Sequence, residues 1–219
     1  MDARKLARMI DHTLLAPEAT MADVERLCAE AIGLQVGAIC ISPSHLPLTK
    51  GLLPSSIKTA AVVGFPSGAH NPLVKSREAQ QACEHGANEI DMVTNLAFVS
   101  TANWSAITDE VSAVRSAIPS GVILKVIIES ALWSDEQIIA VCSAAVQGGA
   151  DFVKTSTGFH KSGGASIANV QLMRKTVGET IGVKASGGIR TYADAIAMID
   201  AGASRIGASA SRIILAEAQ

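Results

Sequence analysis

The 219-residue chain has few aromatic side chains, at 3%, no C-x-x-C pair, no block of like charge and no apolar run long enough to span a bilayer. Each shortage excludes something. With so few rings, an aromatic-rich β-sandwich is disfavoured against tight helix–sheet packing. A formal net charge of −2 with no clustered lysine or arginine lacks the electrostatic footprint of a nucleic-acid binder. The opening Met1-Asp2-Ala3-Arg4-Lys5-Leu6 lacks the apolar core of a signal peptide, so no membrane partner is expected. Cys28, Cys40, Cys83 and Cys142 are scattered, which reads as thiols in a reducing cytoplasm. His12, His45, His70, His85 and His160 show no ligand spacing. They are expected as solvated loop or helix residues, with His70 and His160 near an open face as minor substrate contacts. No metal and no cofactor is expected.

Apolar residues make up 48% of the chain, enough for a sizeable core, and they alternate in kind. Short β-branched runs predict strands at Met9–Thr13, Ala38–Ser42, Thr59–Gly64, Glu89–Thr94, Ile123–Glu129, Phe152–Thr155, Gly182–Ala185 and Arg205–Gly207. Amphipathic stretches between them predict helices at Met21–Ile32, Ser44–Leu52, Pro72–His85, Asn103–Ala117, Asp135–Gln147, Ile167–Val177, Tyr192–Ala201 and Ser211–Glu217. Thr20 and Ser134 stand as caps. Eight strand–helix units without a linker predict one (β/α)8 TIM barrel over residues 1–219, with a doubly wound open sheet as the alternative. Gly86-Ala87, Gly149-Ala150 and Gly202-Ala203 repeat one helix-to-strand turn, with glycine as a left-handed cap. Five residues after each glycine come Asp91, Lys154 and Gly207.

Charge inside these apolar runs is out of place. Lys and Asp are rarely buried unless paired. Asp91, Lys125, Lys154 and Lys184 fall on four of five consecutive expected strands, near loops of the kind that build barrel active sites. Asp91 alone divides evenly between a structural ion pair and a working group. Lys125 is positioned by sequence to neutralise it, and Glu129 to cap a loop. Two converging ammonium groups repel, which lowers the pKa of one and frees an amine to attack a carbonyl. Lys154 is therefore the candidate Schiff-base nucleophile, with Lys184 and Lys125 supplying the positive field and Asp91 relaying protons through water. The turns Ser186-Gly187-Gly188 and Gly207-Ala208-Ser209 follow the last two strands and, with Gly158, suit a phosphate cradle aided by a helix N-terminus. Arg190 either contacts that phosphate or pairs with Asp194.

Asp11-His12-Thr13-Leu14-Leu15, Glu89-Ile90-Asp91-Met92-Val93, Lys125-Val126-Ile127-Ile128-Glu129, Phe152-Val153-Lys154-Thr155-Ser156-Thr157-Gly158-Phe159 and Val183-Lys184-Ala185-Ser186-Gly187-Gly188-Ile189-Arg190 together resemble the deoxyribose-phosphate aldolase family. The resemblance runs in order to Gly207-Ala208-Ser209. It implies a metal-free class I aldolase that cleaves 2-deoxy-D-ribose 5-phosphate reversibly to acetaldehyde and D-glyceraldehyde 3-phosphate. It assigns Lys154 as the Schiff-base lysine, Lys184 as its pKa-lowering neighbour and Asp91 as proton relay. Asp11 and Lys125 become supporting residues, and Thr157 a substrate-hydroxyl contact. Cys40 falls where the family often faces its site, although a buried small hydrophobe is the favoured reading. Gly158, Gly187, Gly188, Gly207 and Ser209 become the phosphate cradle. The partner is a small phosphorylated sugar, and a homo-oligomer, dimer or tetramer, is expected. Phe159 replaces a lysine, and Ala210 a serine, found in some members; Ala185-Ser186 replaces the usual Pro-Ala or Ala-Ala. The competing readings are a Schiff-base aldolase for another phosphorylated sugar and a silent barrel that only binds sugar phosphates. The three intact charged residues argue against the silent barrel.

Overall fold

A computed structural model describes residues 1–218. Eight parallel strands close into a barrel in chain order. They are β1 (Ile10–Leu14), β2 (Ala38–Ile41), β3 (Lys58–Val63), β4 (Glu89–Val93), β5 (Ile123–Ile127), β6 (Phe152–Lys154), β7 (Gly182–Ser186) and β8 (Arg205–Ala208). Around them lie α1 (Ala3–Arg8), α2 (Met21–Leu34), α3 (Pro72–Glu84), α4 (Leu96–Ser100), α5 (Trp104–Ala117), α6 (Asp135–Gln147), α7 (Ile167–Val177), α8 (Tyr192–Asp200) and α9 (Ser211–Ala216). The open-sheet alternative is excluded by the β1–β8 pairing, in which Asp11 registers with Gly207. Among the described residues no helix is long and apolar enough to cross a membrane.

Local signals account for most element ends. Thr20 and Ser134 each close a capping box, with Asp23 and Gln137 reaching back. The Gly-Ala repeat is one motif used three times. Gly86, Gly149 and Gly202 all have positive φ, and the alanine that follows each donates to the carbonyl five residues back. That is the Schellman turn, which glycine enters without a Cβ clash.

The expected helix Ser44–Leu52 does not form; only a 3-10 turn at Pro43–His45 does. Pro47 lies inside that stretch. A proline removes a helical donor and pushes the residue before it out of the α region, and Leu46 is extended, at φ −97° and ψ 147°. The short helices α1 and α4 were not anticipated. The fifth strand also stops at Ile127 rather than Glu129, which adopts a left-handed φ of 53°.

Strand alternation sorts the core into two layers. Ile39, Ile90, Met92, Leu124, Val126, Val153, Val183 and Ile206 face outward and pack beneath the helices. Inside the barrel, Leu15, Cys40, Ala60 and Val62 form a small apolar cluster beside Phe65. Much of the remaining interior is charged.

A fully buried ion pair lies in the outer layer. Lys75 on α3 and Glu110 on α5 are both fully buried, 2.6 Å apart, and Lys75 Nζ also donates to the Val93 carbonyl at 2.7 Å. The other Glu110 oxygen accepts from Asn95 N and Thr94 Oγ1, at 2.9 and 3.2 Å. This pair ties two helices to the segment that follows β4. Lys75 reaches it across Gly64, where a Cβ would stand 2.8 Å from its Cε.

Candidate active site

Asp91 sits in mid-strand on β4 with its side chain in the barrel interior, and three lysines reach it. Lys125 Nζ lies 2.6 Å from Oδ1; Lys154 and Lys184 Nζ lie 2.8 and 2.7 Å from Oδ2. Burial opposes a charged carboxylate, but the three lysines outweigh it and hold Asp91 well below the usual carboxylate range. Asp11 on β1 joins from the other side. It pairs with Lys184 and lies 3.6 Å from Lys125. Burial again pushes its pKa up, yet Lys184, Lys125 and Arg205 bring it down to about 2.

The lysines do not share one fate. Burial alone would depress all three. For Lys125 and Lys184 the surrounding carboxylates reverse the effect, and both stand above the ordinary lysine value. Lys154 stays below it, because burial is reinforced by the Lys184 charge and opposed chiefly by one shared oxygen of Asp91. Lys154 also has the access. It ends β6, and of these three lysines it is the one that lines a cavity of about 570 Å3 at the C-terminal mouth of the barrel.

The same cavity is lined by Thr157, Gly158, Gly187, Gly188, Gly207 and Ser209. Gly187 and Gly188 both have φ of +83°. The turn is packed backbone to backbone. A Cβ on Gly187 would stand 2.9 Å from Gly164 Cα, and one on Gly164 would stand 2.2 Å from Gly187 O. Gly164 was missed by sequence reading, although Gly163-Gly164 mirrors Gly187-Gly188. Gly207 serves the lysine as well as the cavity: a Cβ there would press on Lys184 Cε at 3.1 Å.

Several expectations need revision. The N-terminus of α8 is not free for an anion, because Asp194 already accepts from Arg190 N and Thr191 N at 3.0 Å each. Arg190 thus meets Asp194 through its backbone, while its residue lines the cavity. The Thr157 hydroxyl donates to Glu129 Oε2 at 2.6 Å and accepts from Phe159 N at 3.1 Å. That leaves Thr157 able only to accept from a substrate hydroxyl. Glu129 caps the loop after β6 as the sequence suggested, accepting from Thr157 N as well. Cys40 is fully buried in the apolar interior cluster, and burial pushes its thiol up. Phe159 is half exposed and meets Phe65 edge to face, ring centroids 5.3 Å apart.

His12 is not the solvated residue expected. It neighbours Asp11 on β1 and so faces the helices, buried, with Nδ1 2.9 Å from Ser211 Oγ and Nε2 3.3 Å from Glu30. His70 is exposed on the loop between β3 and α3, and His160 lies on the loop after β6; neither lines the cavity.

Two charged residues were overlooked. Arg205 opens β8 and Glu89 opens β4, at the opposite end of the barrel from the cavity. Arg205 donates to Asp11 Oδ1 at 2.7 Å and Glu89 Oε1 at 3.0 Å; Glu89 Oε2 lies 2.6 Å from Lys125 Nζ. Their strand parity, shared with Gly207 and Asp91, was the available signal.

Comparison with known proteins finds relatives over nearly the whole chain. The family model for DeoC/LacD family aldolases matches residues 5–217. A deoxyribose-phosphate aldolase from Kocuria rhizophila is 53% identical over 96% of this chain and 95% of its own. One from Corynebacterium diphtheriae is 51% identical, covering 97% and 96%. The tetrameric deoxyribose phosphate aldolase structure from Aeropyrum pernix superimposes with a TM-score of 0.89 at 36% identity, over 98% of this chain and 91% of that one.

Proposed function

Because the chain belongs to the DeoC/LacD family of aldolases, we propose that it is a deoxyribose-phosphate aldolase that cleaves 2-deoxy-D-ribose 5-phosphate through a Schiff base on Lys154. The observation that carries this reading is the position of Lys154. It is the lysine of the interior cluster that combines a depressed pKa with a place on the cavity wall.

The chemistry follows from that amine. Neutral Lys154 Nζ adds to the aldehyde carbon of the open-chain sugar, giving a carbinolamine. Loss of water leaves a protonated imine, whose positive nitrogen is an electron sink. The bond between C2 and C3 then breaks. Its electron pair moves to the C1–C2 enamine, and the C3 hydroxyl gives up its proton as that carbon becomes the aldehyde of glyceraldehyde 3-phosphate. Protonation of the enamine at C2 restores the imine, and water releases acetaldehyde and the free amine.

Asp91 is pinned as a carboxylate while Lys154 is unreacted. Its proton-carrying role therefore begins once Lys154 has been converted and its share of Oδ2 is released, with water as the intermediary. Lys184 stays charged throughout, held by Asp11, and keeps Lys154 from gaining a proton. Asp11 and Lys125 fix the cluster. The amides around Gly187 and Gly188, with Gly158, Gly207 and Ser209, hold the phosphate end. The residues Lys154, Asp91, Lys184, Asp11 and Lys125 supply the working groups of this reaction from the chain itself.

The setting belongs to the same proposal. The four free cysteines suit the reducing cytoplasm, and the Aeropyrum pernix tetramer favours a homo-oligomer, which light scattering would size.

Incubation with acetaldehyde and borohydride tests the central claim. The expected result is one reduced adduct on the peptide carrying Lys154, absent from Lys154→Ala. An adduct that survives that substitution, or none at all, refutes it. Substrate identity is checked by turnover: 2-deoxyribose 5-phosphate should be cleaved well ahead of ribose 5-phosphate and of unphosphorylated deoxyribose.

A further inference from the structure

The interior cluster has an uneven count of charges. Three carboxylates, Asp11, Glu89 and Asp91, meet four cationic side chains, Lys125, Lys154, Lys184 and Arg205. Fully protonated, it carries one net positive charge in a buried space. With one amine neutral, it balances. A buried net charge is strongly disfavoured, so the count itself selects a neutral amine.

The connections decide which amine that is. Lys154 faces Asp91 from β4, Lys184 from β7 and Cys40 from β2. Behind these stand Asp11 on β1, Lys125 on β5, and Glu89 and Arg205 at the starts of β4 and β8. Lys184 has two carboxylates, Asp11 and Asp91. Lys125 has Asp91, Glu89 and the more distant Asp11. Arg205 has Asp11 and Glu89. Lys154 has only Asp91, and shares that oxygen with Lys184. It is the least compensated cation.

We propose that Arg205 and Glu89 are positioning residues that set the charge on Lys154 from the far end of the barrel. This rests on the Schiff-base reading for its consequence, though not for its test. Arg205 occupies Asp11 Oδ1, which limits how strongly Asp11 draws Lys184 away from Asp91. Without Arg205, Asp11 claims more of Lys184, Asp91 Oδ2 turns to Lys154, and the count balances only with Lys154 protonated. Removal of Glu89 does the reverse. It leaves Lys125 and Arg205 to the remaining carboxylates and an excess positive charge even with Lys154 neutral.

The test is the protonation midpoint of Lys154, followed by its Nζ 15N shift in lysine-labelled enzyme and assigned with Lys154→Ala. Arg205→Met should move the midpoint up, and Glu89→Gln should move it down, each by about one pH unit for charges several ångströms apart in a partly screened interior. Arg205→Lys, which keeps the charge, should stay close to wild type. The double variant, which removes one charge of each sign, should return towards it. A residue that only braced the fold would lower stability without these opposite shifts. An unmoved midpoint, or shifts of the same sign in Arg205→Met and Glu89→Gln, overturns the proposal; should Arg205→Met fail to fold, Glu89→Gln and the double variant decide. Borohydride trapping on the same samples separates the two claims. Opposite shifts without an adduct leave the charge coupling standing and remove the Schiff base, while an adduct with unmoved midpoints does the opposite.

Discussion

The protein buries lysine in two regions, in different company. In the outer layer, Lys75 has Glu110 to itself, a backbone carbonyl as second acceptor, and no part of the cavity wall. In the barrel interior, Lys154 shares one carboxylate oxygen with another lysine and faces the cavity. Burial lowers the pKa of both, and a carboxylate partner opposes it in both. Depression by desolvation is therefore common to a structural lysine and a candidate nucleophile. The competing cation and the access distinguish them.

Exchanging the loss of each lysine tests that contrast most directly. Lys154→Ala should reduce turnover on the order of a thousand-fold or more, the scale of losing a covalent catalyst, while its melting temperature changes little. Lys75→Met should do the converse. It strands a buried Glu110 carboxylate, which costs about 3–5 kcal/mol, yet the folded fraction should turn over nearly normally. Thermal melts beside kcat measurements read both, and a dead but fully stable Lys75→Met would erase the distinction.

A smaller effect probes the competing cation. Lys184→Leu should slow imine formation about a hundred-fold at neutral pH, equal to about two units of pKa, and recover partly at high pH as Lys154 loses its proton. Trapping rates across pH measure this, and a flat response would remove Lys184's assigned influence.

The mildest test concerns the acid side. Although burial raises it, the charges of Lys184, Lys125 and Arg205 bring the Asp11 carboxyl down to about 2 from the ordinary aspartate value of 3.8. A depressed acid contributes stability that is fully present above its unfolded pKa and lost as pH falls through the folded one. Asp11 should therefore contribute roughly 2 kcal/mol at neutral pH that disappears between about pH 4 and 2. Denaturation midpoints of wild type and Asp11→Asn should converge over that interval.

The two regions were not equally legible in the sequence. Interior charges announce themselves, because a strand has a two-residue period and a lysine at 125, 154 or 184 interrupts an apolar run. Arg205 and Glu89 obey the same parity, but each stands at a strand's first residue, where charge is commonplace. Lys75 and Glu110 could not be found that way. They sit in helices rich in polar residues, and their burial depends on α3 packing against α5, 35 positions apart. The stretch Ser44–Leu52 was misread because its apolar spacing was weighed above Pro47. His12 lies within the expected strand Met9–Thr13, and its side of β1, opposite Asp11, lies under α2 and α9, a contact that no spacing along the chain marks.

Gly64 and Gly207 do matching work for Lys75 and Lys184. Each leaves a gap through which an aliphatic stem crosses the barrel wall or its interior. A methyl group at 207 would crowd Ser186 Cβ at 3.0 Å and Lys184 Cε at 3.1 Å, and so disturb an ammonium it does not resemble. In a mutational screen, alanine there would register as a charge lesion in a residue that carries no charge. A map of tolerated substitutions would thus mark the route of a buried lysine as clearly as the lysine itself.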